Sequence, residues 1–300
     1  MGFWNADLQR RGPGLLAQDA MRGSKPDIVT VVSAITALDA DILVLSGFDF
    51  DTSAIALTAL NNRLPAPYPY LLPLRSNAGV PTGYDLDGNG RVDEARDSQG
   101  FGQFPGQGAM AILSRFPILA DQGKDFSDLL WKDLPKAHLP PLPEGAVEIL
   151  KLSTNGHHQT AILLDSGRHL SLLTWHATTP AFDGPEDRNG KRNADETRFW
   201  TLFLDGKVPF DPPTTSFALI GQGNVDPEKG DGDHAPIRAL LSDPRLHSPL
   251  MGDTSDYGGQ VGTLRTAYIL PDASLTITDS RTEPRPEGAR HHPIWVEFED

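Results

Sequence analysis

The sequence predicts an α/β fold in which helices cover both faces of the sheet. Three observations carry this expectation. Short, wholly apolar runs such as Ile42-Leu43-Val44-Leu45 and Met110-Ala111-Ile112-Leu113 have the length and continuity of strands buried on both faces. Segments with apolar residues at helical spacing lie between such runs. The 29 glycines and 26 prolines among 300 residues, beside 38 % hydrophobics, require many turns between short elements and argue against a helical bundle.

Taken in order, Ile28, Val31, Val32, Ile35 and Leu38 recur at helical spacing behind Pro26 and Asp27, which suit a first turn. Asp41 then leads into the 42–45 strand. A second helix is expected from Thr52 or Ser53, carrying Ile55, Leu60 and Leu64 inward. The 110–113 strand is stopped by Arg115-Phe116-Pro117. A hairpin is expected around Asp165-Ser166-Gly167-Arg168, joining Thr160–Leu164 to His169–His176. Asn193 with Glu196 three residues on has the spacing of a capping box, predicting a helix to about Leu204 that Gly206 ends. Further strands are expected at Phe217–Ile220, Thr266–Leu270 and Ile294–Phe298, and a helix at Pro236–Leu241. Long polar, glycine-rich stretches at 76–108, 178–192 and 222–235 are loops of the length that carries function.

Charge and composition narrow the function classes. Twenty-six basic against 40 acidic residues give a net charge of −14, so non-specific nucleic-acid binding is disfavoured by long-range repulsion. The absence of cysteine excludes disulfides, thiolate zinc sites and a cysteine nucleophile. No apolar run approaches the roughly 18 residues of a membrane span. Met-Gly-Phe-Trp-Asn has no basic region followed by an apolar one, so no signal peptide is expected and a cytoplasmic location is favoured unless a leader has been removed.

Several segments, in order, carry a resemblance to a known family: Phe3-Trp4-Asn5, Asp41 to Asp49, Met110 to Pro117, Trp175-His176, Gly221 to Pro227, Leu264 to Pro271, and Arg290-His291-His292-Pro293. Together they resemble the endonuclease/exonuclease/phosphatase superfamily, and the Phe182–Gly190 run Phe-Asp-Gly-Pro-Glu-Asp-Arg-Asn-Gly is similar to a signature of one bacterial branch. The resemblance implies one domain over residues 1–300, a four-layer sandwich of two packed mixed β-sheets flanked by helices. It also implies phosphoester hydrolysis with Mg²⁺ or Mn²⁺, a hard cation held by carboxylates.

Position by position, the resemblance implies a pocket built from Asn5, His176, Asn224 and His291, with Asp226 nearby. The carboxylates of the family pattern are replaced. Ser46-Gly47 stands where the metal-binding glutamate would be. Gln222 replaces the aspartate before Asn224, Ala267 the one before Tyr268, and Arg290 the one before His291. The residue after His157-His158 is Gln159 where an aspartate is expected. Gly47 offers no ligand, Gln222 only a neutral carbonyl, and a guanidinium at 290 repels a divalent cation. Arg290, and Arg188 in the marker loop, are candidates to bind a phosphate directly.

A separate signal is Asp85-Leu-Asp87-Gly-Asn89-Gly90-Arg91-Val-Asp93, which has the oxygen spacing of the start of a calcium loop, with a backbone carbonyl supplied by Arg91. Position 12 would be Arg96, so Asp93, Glu94 or Asp97 would have to complete it; the competing reading is an acidic surface turn without an ion. Three functions therefore stand. The first is a phosphoesterase-like protein with a degenerate site that binds a phosphate-containing small molecule or a protein partner. The second is an active metal phosphodiesterase or phosphatase whose rearranged site uses Asp49, His176, Asn224, Asp226 and His291. The third is a calcium-stabilised scaffold.

Overall fold

The computed structural model describes residues 1–299. In chain order the elements are β1 (Gly2–Asn5), α1 (Leu15–Arg22), α2 (Pro26–Leu38), β2 (Ile42–Phe48), α3 (Ile55–Asn61), β3 (Tyr70–Leu74), β4 (Ala109–Ser114), β5 (Ile118–Asp125), β6 (Gly156–Leu163), β7 (His169–His176), α4 (Arg188–Leu204), β8 (Phe217–Gln222), α5 (Ala235–Leu241), β9 (Ser255–Asp256), β10 (Thr263–Leu264), β11 (Ala267–Pro271), β12 (Thr276–Thr282) and β13 (Ile294–Glu299). A six-stranded sheet has the order β12-β13-β1-β2-β4-β3 and a five-stranded sheet the order β11-β8-β7-β6-β5. Each is mixed, because β1 runs parallel to β2 and β7 parallel to β8 while the remaining pairs are antiparallel.

Strand alternation explains the layers. Ile42 and Val44 point into a core between the two sheets, where they meet Ile162, Leu172, Ile220 and Ile269. Their neighbours Leu43 and Leu45 point the other way, onto Ile28, Val31, Ile35, Leu57 and Leu60 of α2 and α3. On the far side, Leu173, Trp175 and Leu219 pack on Phe199, Trp200 and Phe203 of α4 and on Ile237 and Leu240 of α5. Three cores between four layers give the helix–sheet–sheet–helix sandwich. Both faces of each central strand are buried, which is why these strands read as unbroken apolar runs.

Three local expectations are corrected. The helix expected from Thr52 or Ser53 starts at Ile55; Asp51 caps it by accepting from the N–H groups of Ile55 and Ala56 at 2.7 and 3.0 Å. Ile55 faces outward, 45 % exposed, while Leu60 and Leu64 are buried. Asn193 is not a helix cap: α4 already starts at Arg188, so the supposed loop 178–192 ends in a helical turn and Asn193 and Glu196 lie inside the helix.

Candidate functional site at the sheet edge

The parallel pairs place their C-terminal ends at one edge of the sandwich, where open α/β sheets generally offer a crevice. Asn5 ends β1 in register with Ser46, and His176 ends β7 in register with Gln222. A hydrogen bond of 2.6 Å between Ser46 Oγ and His176 Nδ1 joins the two sheets across this edge. His291 arrives just before β13, with its carbonyl accepting from the Trp4 indole at 3.0 Å. The family pattern's Asn5, Gly47, His176, Gln222, Asn224 and His291 are thus brought to one place by folding.

Gly47 is a bulge. Between the pairs Ser46↔Met110 and Phe48↔Ala109 it is the extra residue, at φ +67°. A Cβ there would lie 2.4 Å from Asn5 Oδ1 and 3.0 Å from Gln9 Oε1. The space a longer side chain would enter is therefore already filled by amides. The bulge also breaks the strand's alternation, so Asp49, two residues on, does not share the face of residue 47 as it would in a regular strand. Asp49 is instead buried, accepting from the N–H groups of Arg10 at 2.8 Å and Gly108 at 3.0 Å.

Gln222 is fully buried, donating to Asn224 Oδ1 at 2.7 Å and Thr266 Oγ1 at 3.0 Å, with its own Oε1 unpartnered. Asn224, at φ +55°, donates to the carbonyl of Ala177 at 2.8 Å. Asp226 accepts from Glu228 and Lys229 N–H with one oxygen and from Arg265 N–H with the other, so it shapes a turn. Ala267 lies in the core between the sheets, away from any polar role. His157 is held by Ser153 Oγ and the Glu196 carbonyl inside the sandwich, and Gln159 donates to Ser171.

Both pocket imidazoles are neutral. Burial, with the proximity of the His291 ring opposing a second positive charge, lowers His176 to about 3; burial, with Arg290 and then His292, lowers His291 to about 3. His291 Nδ1 is buried without a partner, and its Nε2 lies 3.7 Å from Asp7 Oδ2. Asp7 is the site residue that sequence reading missed. It sits at φ +49° just beyond β1, its N–H donates to Asn5 Oδ1, and burial raises its pKa against the opposing charge of Arg290. Arg290 is exposed, its guanidinium 5.7 Å from the Tyr257 ring centroid, and makes no ion pair among the described residues.

These donors do not fit a hard divalent cation. Such an ion takes six or more oxygen ligands, one or two of them carboxylates free to bind it and the rest neutral oxygens or water. Here one carboxylate, Asp7, stands beside two imidazoles, the amides of Asn5, Gln9, Gln222 and Asn224, and a guanidinium. Asp7, His176 and His291 do not converge as a three-ligand group among the described residues. The arrangement supplies neutral hydrogen-bond donors and one free cation.

Arg188 does not belong to this pocket: its guanidinium donates to the carbonyls of Leu86 at 2.9 Å and Arg96 at 3.2 Å, fastening the start of α4 to the 85–97 loop. That loop gathers carboxylates, with Asp97 as the third member among the three residues that the sequence offers to complete it. Asp85, Asp87 and the buried Asp97 each bring an oxygen within 4.8 Å of the others. Asn89 turns its amide toward Asp87 and Glu94, and Asp93 stands outside the group. Asp97 itself accepts from Leu86 and Glu94 N–H.

Comparison with known proteins gives a consistent result. The model of the Endonuclease/Exonuclease/phosphatase family matches residues 2–291. Among solved structures, an endonuclease/exonuclease/phosphatase family protein from Leptotrichia buccalis is 16 % identical, with 100 % of this chain and 98 % of that chain covered at a TM-score of 0.59. A mannosyl-6-phosphatase from Bacteroides thetaiotaomicron is 13 % identical, with 100 % and 98 % covered at 0.55. A beta toxin mutant from Staphylococcus aureus with bound magnesium ions is 14 % identical, with 98 % and 97 % covered at 0.55. No curated protein matches.

Proposed function

The chain belongs to the endonuclease/exonuclease/phosphatase family, and on that premise we propose that its sheet-edge pocket binds an anion, a phosphate-containing small molecule, without a resident divalent metal and without hydrolysing the ester. The observation that carries this is Gly47. Where the family pattern asks for a metal-binding glutamate, the backbone is a left-handed bulge and the space is closed by the amides of Asn5 and Gln9. Gln222 supports the same reading, since its amide donates to two pocket neighbours where a carboxylate would accept. Neutral His176 and His291 can hydrogen-bond phosphate oxygens, and Arg290 supplies the charge. Calorimetric titration with inorganic phosphate should show binding that weakens about tenfold in Arg290→Ala. The same protein should not turn over bis(p-nitrophenyl) phosphate with Mg²⁺ or Mn²⁺. Metal-dependent hydrolysis abolished by His291→Ala would replace this reading with that of an active phosphodiesterase.

A second, independent role rests on the 85–97 loop. Three carboxylates on one short, glycine-rich segment support a structural Ca²⁺ held by Asp85, Asp87 and Asp97, an oxygen set suited to that ion.

A further inference from the structure

Helix α4 carries two buried polar residues, Asn193 and Glu196, each with a partner in a loop that bears the pocket. The Asn193 amide group, fully buried, donates to the carbonyl of Thr178 at 2.7 Å and to that of Gly223 at 2.8 Å. Thr178 lies two residues after His176, and Gly223 immediately before Asn224. One turn further along the helix, Glu196 accepts from Thr178 N–H at 2.6 Å with one oxygen. Its other oxygen accepts from the N–H and hydroxyl of Thr154, both at 2.6 Å. The main chain cannot set this spacing alone. The β7–β8 ladder ends at His176 and Gln222, and beyond it only the Ala177 N–H to Gln222 carbonyl bond and the Asn224 side chain continue across. Past that point the separation of the two loops is set by the span of one carboxamide.

We infer that Asn193 and Glu196 are positioning residues for the pocket: they fix the loop after His176 against the loop carrying Asn224, and so set the distance between imidazole and amide that a bound anion meets. Elsewhere in the same run, Asn189 donates to the Ala181 carbonyl at 2.7 Å and Arg188 ties the helix start to the 85–97 loop. Asn189, Asn193 and Glu196 thus each hold backbone of the loop that follows His176.

The inference uses the anion-binding reading for one readout only. Two variants are made: Asn193→Asp, which keeps the shape but removes both donated bonds, and Glu196→Gln, which at pH 8 replaces one of the two accepting oxygens by a donor. The ring ¹⁵N signals of His176 report its surroundings without any ligand, and calorimetry with inorganic phosphate reports the pocket's affinity. Displaced His176 signals in both variants, with affinity reduced about tenfold in Asn193→Asp, are expected. Should Asn193→Asp fail to fold, Glu196→Gln with native circular dichroism and displaced His176 signals carries the test. Folded variants with His176 signals identical to wild type would overturn the inference. Displaced signals in a protein whose wild type takes up no phosphate would sustain it while rejecting the anion-binding reading.

Discussion

At the scale of single residues, the edge of the pocket is set by Gly47 and the amides around it. Gly47 tolerates φ +67° because it lacks a Cβ, and its neighbours have closed around that absence. Gly47→Ala should therefore lower the unfolding free energy by about 1–3 kcal/mol, from left-handed strain and contact with Asn5. Urea denaturation measures this, and a change within about 0.5 kcal/mol would show that the bulge relaxes freely. Gly47, Gln222 and Arg290 were legible in the sequence, because a lost charge is visible wherever a motif can be aligned. Asp7 was not. It approaches His291 only because β1 and the segment before β13 adjoin in space, and nothing in Asn5-Ala6-Asp7 announces that neighbour.

At the scale of elements, the apolar strands and α2 were read close to their true bounds, since burial on both faces leaves an unbroken signal. The polar or short strands β1, β3, β5 and β12 left none: β5 is mostly exposed along Ala120–Asp125, and β12 is an edge strand with Asp279 and Arg281 on it. The error at Asn193 and Glu196 is more instructive. Their three-residue spacing satisfies a capping box, but it also puts both on one helix face, and here that face looks inward to receive loop backbone. In the 85–97 loop the sequence leaves Asp93, Glu94 and Asp97 open as the residue that completes the group, and the fold brings in Asp97. Asp97, one position beyond the standard twelfth, joins Asp85 and Asp87 because a short 3₁₀ turn at Ala95–Asp97 bends it back. Calcium should raise the melting temperature and a chelator lower it, with the difference much reduced in Asp87→Asn. A melting curve indifferent to calcium in the wild type would leave the loop as an acidic turn.

At the scale of the whole molecule, the four-layer sandwich buries several ionisable groups, and this sets the response to pH. His157, His176 and His291 are lowered from 6.5 to about 3, chiefly by burial, so the unfolded chain binds protons they refuse below pH 6.5. Their stabilisation is complete above 6.5 and is lost as pH falls toward 3. Glu196, raised from 4.5 to about 7 by burial, acts in the opposite sense: its contribution is complete below 4.5 and is lost as pH rises through 7. Three imidazoles outweigh one carboxyl. The urea midpoint should fall between pH 7.5 and pH 5, with net proton uptake on unfolding. A midpoint that held steady or rose would mean that the imidazoles are charged in the native state.

The placement of β1 between β2 and β13 has a consequence for how the protein comes into being. The indole of Trp4 meets the carbonyl of His291 across 287 positions of sequence. A ribosome must therefore have made almost all of the described chain before Gly2 and Phe3 acquire their second neighbouring strand. Until then one side of β1 is an open template for mispairing, and contacts this distant in sequence form slowly. His291 belongs to the same distant pairing, so the edge of the pocket that it lines cannot form before the segment ahead of β13 is in place.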